Sequence, residues 1–131
     1  MDPKVIKLII SKGKSYIPAI APKHLERGKV GDCFDTCVLA AVRHGVKYVE
    51  GAARNPLTKE WILHAWVTDG VHAWDLTWQA NINGVEQPVP TEYIGLEMDT
   101  RLVVDFMRAT KYKGILDNAW RDLERVNKIL C

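Results

Sequence analysis

Three residues of the chain have the side chains that nucleophilic acyl transfer requires, namely Cys33, His64 and Asp75. A thiolate attacks a carbonyl carbon, an imidazole takes and returns the proton, and a carboxylate holds the imidazole in one tautomer. Cys33 stands at the start of a predicted helix, where free backbone amides and the helix dipole favour a thiolate. Asp32 and Asp35 oppose that effect because they add negative charge beside the thiol. The residue types therefore suggest a nucleophile–base–acid triad, provided that the chain brings the three side chains together.

A predicted β-hairpin brings two members of this triad onto one face of a sheet. Two β-prone runs, residues 61–68 and 71–78, flank Asp69-Gly70, a dipeptide that is favoured in two-residue hairpin turns. Such a turn sets the register so that His64 lies directly across from Asp75. The Cβ atoms of two facing residues are about 4.5–5.5 Å apart, which lets a carboxylate accept a hydrogen bond from an imidazole.

The predicted register gives distances that a structure can check. We expect a hydrogen bond of about 2.6–3.2 Å between His64 and Asp75, and a Cys33 sulfur within about 4.5 Å of a His64 ring nitrogen. The same register places His72 on the opposite face, across from Val67. A bulge or a four-residue loop would turn Asp75 to the wrong face and leave the imidazole without its carboxylate.

The other cysteines and histidines fit catalytic roles less well. His44 lies eleven residues along the same predicted helix, about 16 Å from Cys33, and is too distant to act as its base. Cys37 lies one helical turn from Cys33, away from the terminal amides, and is predicted to pack in the core. Cys131 is the last residue of the chain and carries no signal.

Two further functions compete with acyl transfer. Cys33 and Cys37 are spaced i, i+4 on a helix, and with His64 and Asp75 they could form a four-ligand zinc site, although the chain has no paired C-x-x-C motif. We expect no metal and no cofactor. The fold could also be an inactive copy kept as a binding module, whose working surfaces would be the basic N-terminal stretch and four tryptophans: Trp61, Trp66, Trp74 and Trp78.

The predicted elements form an α+β fold with an antiparallel sheet. Residues 13–32 are expected to be irregular, because Pro18, Pro22, Gly28 and Gly31 interrupt them. The predicted helices are Pro3 to Lys12, Cys33 to His44, about Asp99 to Lys111 and Asp117 to Leu130, and the predicted strands are Val46 to Glu50, the two hairpin runs and a short Tyr93-Ile94-Gly95.

Length and composition limit the function classes. The 131 residues, 47% hydrophobic and 26% charged, predict one domain over residues 1–131. A net charge of +2 is too small to indicate nucleic acid, although residues 1–30 are basic enough to form a solvated face or to meet an anionic partner. No apolar run reaches the roughly 18 residues of a membrane span, and no signal peptide is evident. We therefore expect an intracellular, cytoplasmic enzyme with a protein or peptide substrate, and the oligomeric state stays open.

Several short motifs resemble the core of the transglutaminase-like superfamily, within the wider papain-like group of cysteine enzymes. They correspond to the family's helix-starting cysteine, a strand that ends in glycine, a His-Ala-Trp strand and an Asp-x-Thr strand. A downstream Tyr93-Ile94-Gly95 is similar to a tyrosine–glycine segment of small microbial and phage members. The matching segments are Gly31-Asp32-Cys33-Phe34, Leu39-Ala40, Arg43-His44-Gly45-Val46, Tyr48-Val49-Glu50-Gly51, His64-Ala65-Trp66-Val67 and Asp75-Leu76-Thr77-Trp78.

The resemblance implies roles for the triad and a papain-like core, with the catalytic helix packed against the sheet. Cys33 would be the nucleophile, His64 the base and then the acid, and Asp75 the orienting carboxylate of an enzyme that hydrolyses an amide through a thioester. The oxyanion would be held by the Cys33 amide and one further donor. The family's upstream glutamine or tryptophan is missing here, so Lys29 and Arg27 are the candidates to replace it. A fainter resemblance is to an open-reading-frame product of a virus of hyperthermophilic archaea.

Overall fold

The computed structural model of the chain describes residues 2–131 and has an α+β fold, as predicted. The helices and strands follow one another in the order α1 (Pro3–Lys12), β1 (Lys14–Ala19), α2 (Cys33–His44), β2 (Lys47–Arg54), β3 (Trp61–Thr68), β4 (His72–Trp74), β5 (Asn81–Ile82), β6 (Val85–Glu86), β7 (Tyr93–Met98), α3 (Thr100–Thr110), α4 (Leu116–Ala119) and α5 (Leu123–Ile129).

Five strands close into a barrel in the order β1-β4-β3-β2-β7, while β5 and β6 form a separate two-stranded hairpin. The β2–β3, β2–β7, β3–β4 and β1–β7 pairs are antiparallel, and β1 runs parallel to β4. The prediction of a wholly antiparallel sheet is therefore wrong at one pairing. Closure of the barrel leaves none of these five strands at an open edge.

The strand β1 lies inside the stretch that was expected to be irregular. Of its six residues only Tyr16 is buried, so the strand shows no alternation of apolar and polar side chains. Pro18, a residue that weakens any strand prediction, faces Ala73 of β4. This strand forms because its two neighbours supply backbone partners on both sides, which no local pattern reveals.

The helix α2 has the predicted bounds and carries the predicted nucleophile at its first position. It ends at Gly45, whose φ of 71° is the left-handed conformation typical of a residue that follows a helix. Its buried side chains, among them Cys37, Ala40 and Ala41, belong to the same hydrophobic core as Ala65 and other residues of the barrel. Small side chains on this face let the helix lie close to β3 and so bring its N-terminus to the barrel.

The hairpin register differs from the prediction by two residues. Val67 faces Trp74 rather than His72, and β4 ends at Trp74. The Asp69 carboxylate explains the longer connection, because it accepts hydrogen bonds from the amides of Val71 and His72 at 2.9 and 2.8 Å. Side chains alternate along a strand with a period of two, so a two-residue shift keeps each one on its own face. The longer loop therefore does not turn Asp75 away, contrary to expectation.

Other boundaries also differ from the sequence-based ones. β2 runs on to Arg54 and β7 runs on to Met98, since both pair with each other and with further strands. The single helix expected over residues 117–130 is two short helices, α4 and α5. The second begins after Asp122, whose carboxylate accepts a hydrogen bond from the Arg125 amide at 3.1 Å and so starts a new helix.

Two glycines allow the strands of the barrel to approach the site closely. Gly51 of β2 faces Gly95 of β7 on one side and His64 of β3 on the other. A Cβ atom on Gly51 would lie within 2.1 Å of the Ile94 carbonyl oxygen, and one on Gly95 would lie within 2.7 Å of the Trp66 ring. Both positions therefore require glycine for lack of space.

Within residues 2–131, no helix combines the length and the apolar character that a membrane crossing needs.

Candidate active site

The imidazole of His64 and the carboxylate of Asp75 form a buried hydrogen-bonded pair. The His64 Nε2 atom lies 2.8 Å from Asp75 Oδ2, within the predicted range, and the two side chains are only 6% and 7% exposed. His64 extends from β3, while Asp75 lies just past the end of β4. The two residues are therefore diagonal neighbours rather than directly facing ones, an offset that long side chains can span.

Four further contacts hold Asp75 in place. Its Oδ2 atom also accepts a hydrogen bond from the Tyr93 hydroxyl at 2.8 Å. Its Oδ1 atom accepts hydrogen bonds from the amides of Thr77 and Trp78 at 3.2 and 2.9 Å, and the Thr77 hydroxyl lies 3.5 Å away. Both carboxylate oxygens are therefore occupied, and the orientation of the His64 ring is determined by an anion that cannot rotate freely.

The environment favours the charged forms of both partners. Burial by itself lowers the pKa of His64, but the charge and hydrogen bond of Asp75 outweigh it and, with a smaller contribution from Cys33, raise that pKa to about 10. Burial by itself raises the pKa of Asp75, but the charge of His64 and the hydrogen bonds from His64, Trp78 and Tyr93 bring it below its usual value. The pair is therefore an imidazolium and a carboxylate at neutral pH.

Cys33 is the first residue of α2 and lies beside His64. Cys33 is 6% exposed, and its interaction with His64 contributes to the raised pKa of the imidazole. Because Nε2 is bonded to Asp75, Nδ1 is the ring nitrogen left for the sulfur. Asp32, which precedes the helix, makes no side-chain capping bond, so its carboxylate does not occupy the first-turn amides. The predicted sulfur–nitrogen distance stays a prediction.

Aromatic rings surround the imidazole. The Trp78 ring stands edge-on to His64 with 5.9 Å between ring centroids, and the Trp66 ring is tilted against it at 6.4 Å. Trp66 also makes edge contacts with Tyr16 and Tyr93 at 5.7 and 5.0 Å. These rings exclude water from the pair, which strengthens the electrostatic interaction inside the site.

A second buried carboxylate is that of Glu50 in β2. Glu50 is fully buried and accepts hydrogen bonds from the Tyr48 hydroxyl at 2.7 Å and from the amides of Ile115 and Leu116 at 2.8 and 3.0 Å. Burial raises the pKa of Glu50, and these hydrogen bonds oppose that rise. Burial is the largest cause that raises the pKa of Cys37, followed by the negative charges of Asp75, Cys33 and Glu50. Glu50 therefore ties the start of α4 to the strand beside α2.

The remaining candidates are placed as follows. Cys37 is fully buried, as expected, and burial holds the pKa of its thiol well above the usual value. His44 lies against the ring of His24 with 5.2 Å between centroids. Arg27 binds the carbonyl oxygens of Ala21, Pro22 and Leu25 in the loop before α2, and Lys29 is exposed.

The zinc alternative lacks a ligand set. Across residues 2–131, no three histidine, cysteine, aspartate or glutamate side chains come together in an arrangement that could hold a metal ion. Cys33, Cys37 and Cys131 are all free thiols in this structure. A site made of Cys33, Cys37, His64 and Asp75 is therefore not supported by the geometry.

Three functional neighbours were not singled out as site residues from the sequence. Tyr93 had a signal, because it belongs to the Tyr93-Ile94-Gly95 segment that resembles the family. Trp78 follows Asp75 by three residues, a spacing that lets its amide reach the carboxylate. Glu50 is an acid inside a strand whose next three residues are small, and a buried acid needs hydrogen-bond partners. Those partners come from residues 115 and 116, which no local pattern connects to it.

A cavity of about 310 Å³ opens beside this site. Asp75, Tyr93 and Trp78 form part of its wall, while neither Cys33 nor His64 lines it.

Comparison of the chain with protein-family models, with curated proteins and with solved structures found no match in any of the three. The function of the site is therefore inferred from its own geometry and chemistry.

Proposed function

We propose that this chain is a cysteine-dependent acyl-transfer enzyme with a papain-like, transglutaminase-like core, which hydrolyses an amide of a protein or peptide. The observation that carries the proposal is the imidazole of His64, hydrogen-bonded at 2.8 Å to Asp75 and near enough to Cys33, at the start of α2, for that residue to contribute to its raised pKa. A histidine between a carboxylate and a helix-starting cysteine is the arrangement that nucleophilic catalysis by a thiolate requires.

The reaction follows from these three groups. Because the site holds His64 as an imidazolium, the Cys33 sulfur reacts as a thiolate whose proton lies on that ring, and it attacks the amide carbonyl carbon to form a tetrahedral intermediate. As the carbon–nitrogen bond breaks, the imidazolium donates its proton to the leaving amine, and a thioester remains on Cys33. His64, neutral after that step, then takes a proton from water, and the hydroxide attacks the thioester; the acid product leaves as the carbon–sulfur bond breaks, which restores the thiolate and the imidazolium. Asp75 stabilises the imidazolium in both steps.

The oxyanion of the intermediate needs hydrogen-bond donors. The amide of Cys33, at the uncapped start of α2, supplies one. Arg27, a candidate for the second, uses three of its five N–H donors on carbonyl groups of its own loop and lines a cavity that Cys33 does not line. An enzyme that lacks one such donor is slower by about 10²–10³, so we expect slow turnover.

Because the Cys33 nucleophile must stay reduced, we propose the cytoplasm as the compartment of this protein.

One observation favours a second function. Cys33 and His64 are 6% and 5% exposed, and the cavity beside them is lined by neither residue. A site that is covered in this way fits an inactive copy of the fold that binds a ligand beside Asp75 and does not turn it over. The two functions differ in one measurable property, the reactivity of the Cys33 thiol.

Alkylation of the native protein by iodoacetamide at pH 7, followed by peptide mass spectrometry, tests the proposal. We expect Cys33 to be labelled faster than free cysteine and Cys37 to be unlabelled, because burial raises the pKa of the latter. His64→Ala should slow labelling of Cys33 at least tenfold. The matched control is His72→Ala, which removes an exposed histidine that also lies 2.8 Å from an aspartate, Asp69.

Two results would overturn the enzyme proposal. One is a Cys33 that reacts no faster than a free thiol in the native protein. The other is equal labelling in the wild type and in His64→Ala, since the imidazole would then have no effect on the sulfur. Either result leaves the binding-module function in its place.

A further inference from the structure

The cavity beside Asp75 is walled mostly by apolar side chains. Its volume of about 310 Å³ lies at the small end of the range for ligand sites in proteins, and suits one amino-acid-sized group. Pro18, Ile20, Ala73 and Pro90 are among the apolar residues that line it. Since Asp75 also lies in the wall and is bonded to His64, a ligand here is separated from the imidazole by one side chain.

A single cation, Arg27, is among the side chains that line this cavity. Three hydrogen bonds of 2.6–2.9 Å join its guanidinium to the carbonyl oxygens of Ala21, Pro22 and Leu25. A guanidinium has five N–H donors, so two are left for a ligand. Within residues 2–131, no acidic side chain forms a salt bridge with Arg27. Burial lowers the pKa of the Arg27 guanidinium.

Asp75 does not neutralise this cation although both residues line the cavity. The oxygens of the carboxylate are bonded to His64, Tyr93 and the amides of two following residues. Its charge is balanced by the imidazolium. A half-buried arginine whose charge has no partner is stabilised when an anion enters, and a planar guanidinium matches a carboxylate best.

We propose that this cavity recognises a carboxylate carried beside an apolar group, and that Arg27 binds that carboxylate. The proposal rests on the acyl-transfer function and specifies its substrate, a peptide whose carboxylate enters this cavity beside Asp75. Two sources have this chemistry, the C-terminal carboxylate of a peptide that ends in an apolar residue and the side chain of an internal acidic residue. The apolar walls favour the first.

Binding of small probes to the Cys33→Ser variant, measured by titration calorimetry, tests this assignment without turnover. The probes are N-acetyl-leucine, which has a C-terminal carboxylate, its neutral amide, and the α-amide of N-acetyl-glutamate, whose carboxylate is on the side chain. We expect N-acetyl-leucine to bind at least tenfold more tightly than its amide. Tighter binding of the glutamate probe than of N-acetyl-leucine would assign the internal acidic residue as the source.

Variants of the protein test whether Arg27 is the residue that binds the carboxylate. Arg27→Gln should abolish the preference for the acid over the amide, whereas Arg27→Lys should keep most of it because it keeps the charge. Arg43→Gln is the matched control, since Arg43 is a neighbouring arginine already paired with Glu26 at 2.7 Å. Ala80→Trp, at an exposed position of the cavity wall, should weaken every probe at least tenfold.

Equal binding of the acid and the amide to the unaltered cavity overturns the assignment, whatever the variants do to folding. So does an Arg27→Gln protein that keeps the preference. These outcomes are separate from the labelling of Cys33. A reactive Cys33 with no preference for the acid refutes only the assignment of the cavity. An unreactive Cys33 with an Arg27-dependent preference refutes only the catalytic function.

Discussion

Replacing Asp75 by asparagine keeps the size of the side chain and removes its charge from the His64 site. In the wild type, Asp75 Oδ2 receives hydrogen bonds from His64 Nε2 and from the Tyr93 hydroxyl, both at 2.8 Å. In the variant, the amide keeps its oxygen towards the amides of Thr77 and Trp78, so its NH₂ group faces His64. Nε2 must then accept a hydrogen bond, which requires a neutral ring with its proton on Nδ1.

The expected effect on the imidazole is large. Asp75 is the main cause that raises the pKa of His64 to about 10, and burial alone lowers it. In Asp75→Asn, the pKa of His64 should therefore fall below its usual value of 6.5, a drop of more than about 3 pH units. Titration of the His64 ring by NMR measures this directly. A pKa that stays within one unit of the wild-type value would refute the electrostatic account of the site.

The same change should alter stability with a defined pH dependence. A shift from 6.5 to about 10 corresponds to at most roughly 5 kcal/mol, shared among the interacting groups, and we expect Asp75→Asn to cost about 3 kcal/mol of unfolding free energy near pH 6. Because the folded pKa of His64 is raised, its contribution is complete below about pH 6.5 and is lost as the pH rises through about 10. The contribution of Asp75, whose folded pKa is lowered, is lost as the pH falls below 3.8. The difference between wild type and variant in urea unfolding should therefore be greatest between about pH 4 and 6.5.

The change of tautomer in Asp75→Asn should also lower the rate of catalysis. In Asp75→Asn the neutral ring keeps its proton on Nδ1, so it can neither take a proton from Cys33 nor pair with the thiolate as an imidazolium; the equivalent change in a Ser-His-Asp triad costs about 10⁴ in turnover. Labelling of Cys33 by iodoacetamide should slow in parallel. An Asp75→Asn protein whose Cys33 reacts at the wild-type rate would show that the pair is only structural.

Three further changes test other parts of the structure. Tyr93→Phe removes one hydrogen bond to Asp75 without changing the packing, and should cost about 1 kcal/mol of unfolding free energy in urea denaturation and raise the pKa of Asp75 in an NMR titration. Glu50→Gln leaves a buried site with one acceptor too few, and should cost about 1–3 kcal/mol and speed hydrogen exchange at the Ile115 and Leu116 amides. Gly51→Ala places a Cβ atom against the backbone of β7, and should lower the melting temperature more than Gly95→Ala, which meets only side chains.

Each of these three changes has a control or a refuting result. Tyr112→Phe, at an exposed tyrosine, should leave stability unchanged, and so should Glu124→Gln at an exposed glutamate. A Glu50→Gln protein with unaltered exchange at the α4 amides would show that this carboxylate does not hold the helix. Equal melting temperatures for the two glycine variants would show that β7 can move away from β2.

The local sequence is sufficient for the elements whose stabilising interactions are themselves local. The helix α2 has its predicted bounds because its apolar spacing and Gly45 act within a few residues of each other. The strand β3 likewise covers its predicted residues, 61–68. The pairing of His64 with Asp75 could also be predicted, since alternation along two strands keeps both on one face whether or not the turn has two residues.

The tertiary structure decides what depends on contacts between residues far apart in the chain. β1 exists because β4 and β7 lie on either side of it, and its own residues show no strand pattern. The burial of Glu50 depends on amides 65 and 66 residues later, and the fixing of Asp75 depends on the Tyr93 hydroxyl, 18 residues away. A sequence pattern lists the groups that could pair, but a buried polar group chooses its partner by desolvation and distance, which exist only once the barrel has closed.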